Sequence, residues 1–173
     1  VHHSAEKLCA SGFLPLSEVE DWDLTPGQGY YVTRNGSSLI AFRTRKDFSG
    51  FLMTASHCDS PTFKIKENAE LTGSGCRRLA VEKYGGMRMS TWMDRPLGIA
   101  GRVLLRKGSG IESRLLDLGG ACAVIPNVAI HMNRKANDGY PWNPAVDLLP
   151  LWGAGEEKGF FRPTLAMALA CRE

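Results

Sequence analysis

At 173 residues, with 23% charged side chains, 43% hydrophobic ones and a formal net charge of +3, the chain has the composition of a folded globular protein. So small a charge argues against a surface dedicated to nucleic acid, which gathers Lys and Arg on one element; the densest basic spots, Arg77-Arg78 and Arg102 to Lys107, read as solvated strand edges. No run of about 18 apolar residues is available to cross a bilayer, and the five cysteines, at 9, 58, 76, 122 and 171 with no C-x-x-C pair, read as free thiols of a reducing, cytoplasmic compartment.

In chain order, Ala5 to Ser11 reads as the end of an amphipathic helix stopped by Gly12. Tyr30 to Arg34 and Ser38 to Arg43 alternate around Asn35-Gly36, a strong hairpin signal. Gly50 to Ala55 is a mostly apolar strand leading to His57. Strands are then expected at Thr62 to Lys66, Leu79 to Lys83, Met87 to Trp92, Ile99 to Arg106, Ile111 to Leu118 and Ala121 to Ile125, with Gly73-Ser74-Gly75 and Gly108-Ser109-Gly110 as turns. Short, regularly spaced strands predict a small barrel or sandwich, followed by a helix over Arg162 to Ala170. The second half is long enough for its own core; the first half is expected not to fold alone, because its apolar strand lacks sheet neighbours.

The candidate chemistry begins at His57-Cys58-Asp59. On a strand, residues i and i+2 share a face, so His57 and Asp59 would project together into the crevice beyond the strand's C-terminal end. A neutral imidazole suits zinc, and a neighbouring carboxylate can hold its other N–H. An ordinary histidine at a strand-to-loop junction explains the spacing equally well. Thr54-Ala55-Ser56-His57-Cys58 also resembles the histidine segment of trypsin-like serine proteases, where His57 would be a general base. That family needs a G-D-S-G-G nucleophile segment, and no such string occurs in this chain. Cys58 would point away from the face shared by its neighbours and reads as a packed thiol. His131, in Val128-Ala129-Ile130-His131-Met132, shares one side of an extended segment with Ala129; taken alone it reads as structural. Asp94-Arg95 reads as a buried or interface ion pair, Trp92 as a core residue, and His2 and His3 as helix-surface residues.

A second resemblance runs through most of the chain. His57-Cys58-Asp59-Ser60-Pro61 followed by Phe63-Lys64-Ile65-Lys66 is similar to the A-H-T-D-S-P segment and following strand of the M18 metalloaminopeptidases, the aspartyl aminopeptidase family. Val81-Glu82-Lys83-Tyr84-Gly85-Gly86 resembles that family's E-x-Y-G-G. Ser90-Thr91-Trp92-Met93-Asp94-Arg95-Pro96-Leu97-Gly98-Ile99-Ala100-Gly101-Arg102-Val103 resembles T-W-F-D-R-D-L-x-L-A-G-R-V. Ile125-Pro126-Asn127-Val128-Ala129-Ile130-His131-Met132-Asn133-Arg134 resembles I-P-x-L-A-I-H-L-x-R, and Leu148-Leu149-Pro150-Leu151 closes the match. Cys58 stands where threonine is usual, Met87 where a third glycine is usual and Pro96 where an acidic residue is usual.

The resemblance implies an α/β fold in which residues 1–66 are the N-terminal part of a zinc-peptidase catalytic domain and 67–173 an inserted β-rich dimerisation domain, both incomplete. It implies removal of N-terminal, mainly acidic, residues from peptides by two zinc ions. His57 would be a metal ligand, Asp59 its orienting carboxylate, and the remaining ligands would follow residue 173. His131 would reach the partner subunit's site and stabilise the oxyanion. The implied assembly is a homodimer, built up into a dodecamer, without nucleic acid or membrane partners. The alternative is an interaction module that dimerises and catalyses nothing.

Overall fold

The structure, a computed structural model, describes residues 1–170; Cys171 lies outside them. The chain divides into two compact units, Val1–Asp59 and Ser60–Glu173.

The first unit opens with helix α1 (His2–Ala10), whose His2 and His3 lie on the surface beside Glu6. Gly12, at φ +80°, ends it as expected, with the Phe13 N–H returning to the Leu8 carbonyl at 3.0 Å. Three strands follow: β1 (Leu14–Pro15), β2 (Gly29–Arg34) and β3 (Ser38–Arg43), in the order β1-β2-β3. The β2–β3 hairpin falls where the alternation put it, with Asn35 and Gly36 at φ 54° and 62°. Tyr30 and Val32 are the buried apolar residues of this unit, and Phe42 packs between Tyr30 and Trp22.

The expected strand over Gly50–Ala55 does not form. Residues 48–61 adopt no regular structure, and Phe51, Leu52 and Met53 are 76%, 102% and 84% exposed. A strand needs a neighbour to take its backbone N–H and C=O groups, and no strand of the described chain pairs with this one.

The second unit holds a five-stranded sheet in the order β4-β5-β10-β9-β6, formed by β4 (Thr62–Gly73), β5 (Cys76–Tyr84), β6 (Pro96–Leu97), β9 (Ala123–Val124) and β10 (Leu151–Ala154). A separate ribbon pairs β7 (Ala100–Lys107) with β8 (Gly110–Asp117). Both glycine turns are tight: Ser74 and Gly75 stand at φ 55° and 72°, and Gly108 at 59°. Helix α2 (Phe161–Ala170) turns Phe161, Leu165, Ala168 and Leu169 inward, the i, i+4, i+7, i+8 pattern of one buried face. One core joins Ala69, Leu79, Val81 and Phe161; another joins Met93, Ile125 and Leu148, with Trp92 and Trp142 packed against it.

Several expectations change in this unit. Met87–Trp92 is not a strand: Met89–Trp92 is a 3-10 turn, with the Thr91 hydroxyl donating to the Arg88 carbonyl at 2.7 Å, a local bond that competes with extension. Arg77-Arg78 is not a solvated edge either. β5 lies between β4 and β10, so both side chains are half-buried, and Arg77 stacks on the Phe160 ring. Ala121 to Ile125 contracts to the two-residue β9.

Candidate metal ligand and the loop of His131

His57 lies on the irregular segment that precedes the unit boundary, so its pairing with Asp59 comes from the turn of the chain rather than from a shared strand face. Nδ1 stands 3.0 Å from Asp59 Oδ1 and 3.0 Å from the Asp59 carbonyl oxygen. Either oxygen can accept an Nδ1–H, which leaves Nε2 with its lone pair turned outward. The His57 side chain is 82% exposed and that of Asp59 is 49% exposed. Imidazole held by carboxylate through the nitrogen away from the metal is the usual support of a zinc-binding histidine, and these two residues fit that role for one ligand. Among the described residues, no group of three His, Cys, Asp or Glu side chains converges.

Cys58, expected to be packed, is exposed, its Sγ 3.9 Å from the Ser37 carbonyl oxygen. Without a strand there is no opposite face for it to pack on.

His131 belongs to the second unit and is exposed. The extended segment expected around it is a turn: the Met132 N–H donates to the Ala129 carbonyl at 2.8 Å and the Asn133 N–H to that of Ile130 at 3.2 Å. Pro126 and Asn127 interrupt the strand pattern just beforehand. Val128, Ile130 and Met132 in the same loop are exposed by 53%, 49% and 78%.

Asp94 holds the root of this loop, a role the sequence reading missed. It is exposed, not part of a buried ion pair, and stands at φ 55°, a backbone region that aspartate tolerates better than most residues. Its N–H donates to the Ile125 carbonyl at 2.9 Å, and its carboxylate accepts the Asn127 N–H at 2.8 Å. With the Met93–Ile125 bridge, these bonds fix where the loop leaves the core. A second overlooked carboxylate, Glu70, accepts the N–H groups of Gly159 and, at 2.7 Å, Phe161. Phe161 opens α2, so its N–H is one of the donors a helix start leaves unsatisfied, and the two bonds hold the Glu70 carboxyl below the usual glutamate range, the Phe161 bond most strongly.

Residues 1–164 match the family described as aminopeptidase I zinc metalloprotease (M18). The chain belongs to the M18 family. The "Probable M18 family aminopeptidase 2" of Pseudomonas putida is 43% identical over 171 residues, 96% of this chain and 40% of that protein. Its counterpart in Pseudomonas paraeruginosa is 46% identical over 150 residues, 85% of this chain and 35% of that protein. Among solved structures, mApe1 of Chaetomium thermophilum is 27% identical with a TM-score of 0.77, covering 98% of this chain and 42% of the other. The Saccharomyces mApe1 dodecamer is 34% identical with a TM-score of 0.59, covering 75% and 32%. The chain therefore spans about two fifths of the M18 relatives it matches. Among the described residues no helix is long and apolar enough to cross a membrane.

Proposed function

We propose that this chain forms part of a zinc-dependent M18 aminopeptidase that removes N-terminal residues, acidic ones foremost, from peptides. The observation that carries the reading is the His57–Asp59 contact, an imidazole oriented by a carboxylate within the segment that matches the family's motif. In this reading His57 offers Nε2 to one of two zinc ions, and Asp59 keeps the proton on Nδ1 and raises the ring's basicity. Bound zinc would polarise the scissile carbonyl and lower the pKa of a water molecule. The other ligands come from the portion of M18 proteins outside the matched share, so the 173-residue chain by itself is inert.

His131 sits on an exposed loop whose root is fixed by Asp94, which suits a side chain that serves a site in a partner subunit. There its imidazole N–H would donate to the developing oxyanion. The dodecameric state of the Saccharomyces relative supports an assembly that brings subunits together.

The test is hydrolysis of Asp, Glu and Leu chromogenic amides with added Zn²⁺, by this chain and by a full-length M18 protein carrying its residues. Activity in the full-length protein alone supports the reading. Turnover by the 173-residue chain would show that the ligand set is complete within it and that the assignment is wrong.

A further inference from the structure

Residues 126–150 contain no helix or strand, yet the segment leaves and rejoins a single cluster. Ile125 at its start and Leu148 near its end are both fully buried there, and Trp142 packs against them. An irregular loop beyond ~12–15 residues is usually functional or disordered, and this one carries the exposed His131. The angle at which the loop departs from the cluster decides where that imidazole can stand.

Asp94 sits at the point of departure. Met93 runs parallel to Ile125, whereas Pro96 and Leu97 return antiparallel to Val124 and Ala123, so the chain reverses at Asp94-Arg95. The reversal uses the positive φ of Asp94. The turned backbone still donates its N–H to the Ile125 carbonyl. Pro126 has no N–H to offer, and the next donor, Asn127, is taken by the Asp94 carboxylate. Asn127 passes the constraint on, its side-chain oxygen accepting the Val128 N–H at 2.8 Å, and the turns at Ala129–Met132 and Ile130–Asn133 follow directly. From the buried Met93 and Ile125 to His131 the contacts are continuous, and Asp94 enters them from outside the loop. Because Asp94 is exposed, its bonds compete with water and add only modestly to folding stability; their larger effect is on direction.

We infer that Asp94 is a positioning residue for catalysis in the partner subunit: through Asn127 it sets the angle of the loop, and so the place of the His131 N–H against the developing oxyanion. The inference rests on the proposed role of His131. Misplacing a catalytic group by ~1 Å can cost about 100-fold and deleting an oxyanion donor about 100–1,000-fold, so loss of the Asp94 carboxylate should lower kcat by about 10–100-fold, short of the loss from removing His131. KM should change little, because the contact with the oxyanion exists only in the transition state.

The experiment uses a full-length M18 protein carrying these residues, with Asp, Glu and Leu amides as substrates and circular dichroism to confirm each fold. Asp94→Ala and Asp94→Gly should both lower kcat, the second because glycine keeps the backbone turn but not the acceptor. Asp94→Asn, which tolerates the turn and keeps an acceptor oxygen, should restore most of the rate. Mixed oligomers then separate positioning from folding. Asp94→Ala subunits co-purified with His57→Ala subunits through different tags should regain turnover, since the intact zinc ligand of one meets the intact loop of the other. Paired with His131→Ala subunits they should not, because both loops are faulty. The inference is overturned if Asp94→Gly turns over as fast as the unmutated protein, if Asp94→Asn is as slow as Asp94→Ala, or if His57→Ala subunits fail to complement Asp94→Ala. Full turnover by His131→Ala would instead sink the reading of His131 itself, and the inference with it.

Discussion

The two units solve the problem of apolar surface in opposite ways. In Ser60–Glu173, Leu79, Ile125 and Leu148 are at most 1% exposed, and two clusters gather around them. In Val1–Asp59, Tyr30 and Val32 are buried, while Ile40, Phe48, Phe51, Leu52 and Met53 face solvent. The first unit is nearly as apolar in sequence; it lacks surfaces to bury against. His57 stands in the poorly supported unit and His131 in the well-packed one.

The largest effect should come from separating the units. Residues 60–173 are expected to keep a cooperative urea transition and residues 1–59 to show none; a sharp Trp22 fluorescence transition in the short piece would erase the contrast. His57→Ala in a full-length M18 protein carrying these residues should abolish peptide hydrolysis with unchanged circular dichroism. Asp59→Asn there should weaken zinc binding about 10–100-fold, read by chelator competition, and unchanged affinity would leave Asp59 without an orienting role.

Packing gives a smaller, sharper comparison. Leu79→Ala or Ile125→Ala should cost about 2–5 kcal/mol, whereas the fully exposed Leu52→Ala should stay within ~0.5 kcal/mol; denaturant titration decides, and similar costs would mean that Leu52 is packed in solution. Glu70 supplies the smallest effect. Its carboxyl is held low in the folded state, so its stabilisation is complete above the ordinary glutamate range near pH ~4.3 and fades as pH falls through the lower folded value. Glu70→Gln should therefore speed amide exchange in α2 at pH 7 and flatten the acid side of the stability profile. An unchanged profile would show that the two N–H bonds contribute nothing to holding the helix.

The residues by themselves determined the β2–β3 hairpin, the glycine turns, the ribbon β7–β8 and helix α2, because Asn-Gly, Gly-Ser and helical periodicity act over a few positions. They also determined the family, through ordered blocks spread over most of the chain, and the closeness of His57 to Asp59, two residues apart. Only the tertiary structure decided that Gly50–Ala55 stays irregular, because an apolar run becomes a strand when another strand is there to pair with it. It likewise placed Arg77 and Arg78 inside a sheet, since a strand's position depends on partners such as β10, more than 70 residues away. Glu70 at α2 and Asp94 at the His131 loop were invisible for the same reason: each carboxylate acts on backbone groups distant in sequence, and that proximity exists only once the chain has folded.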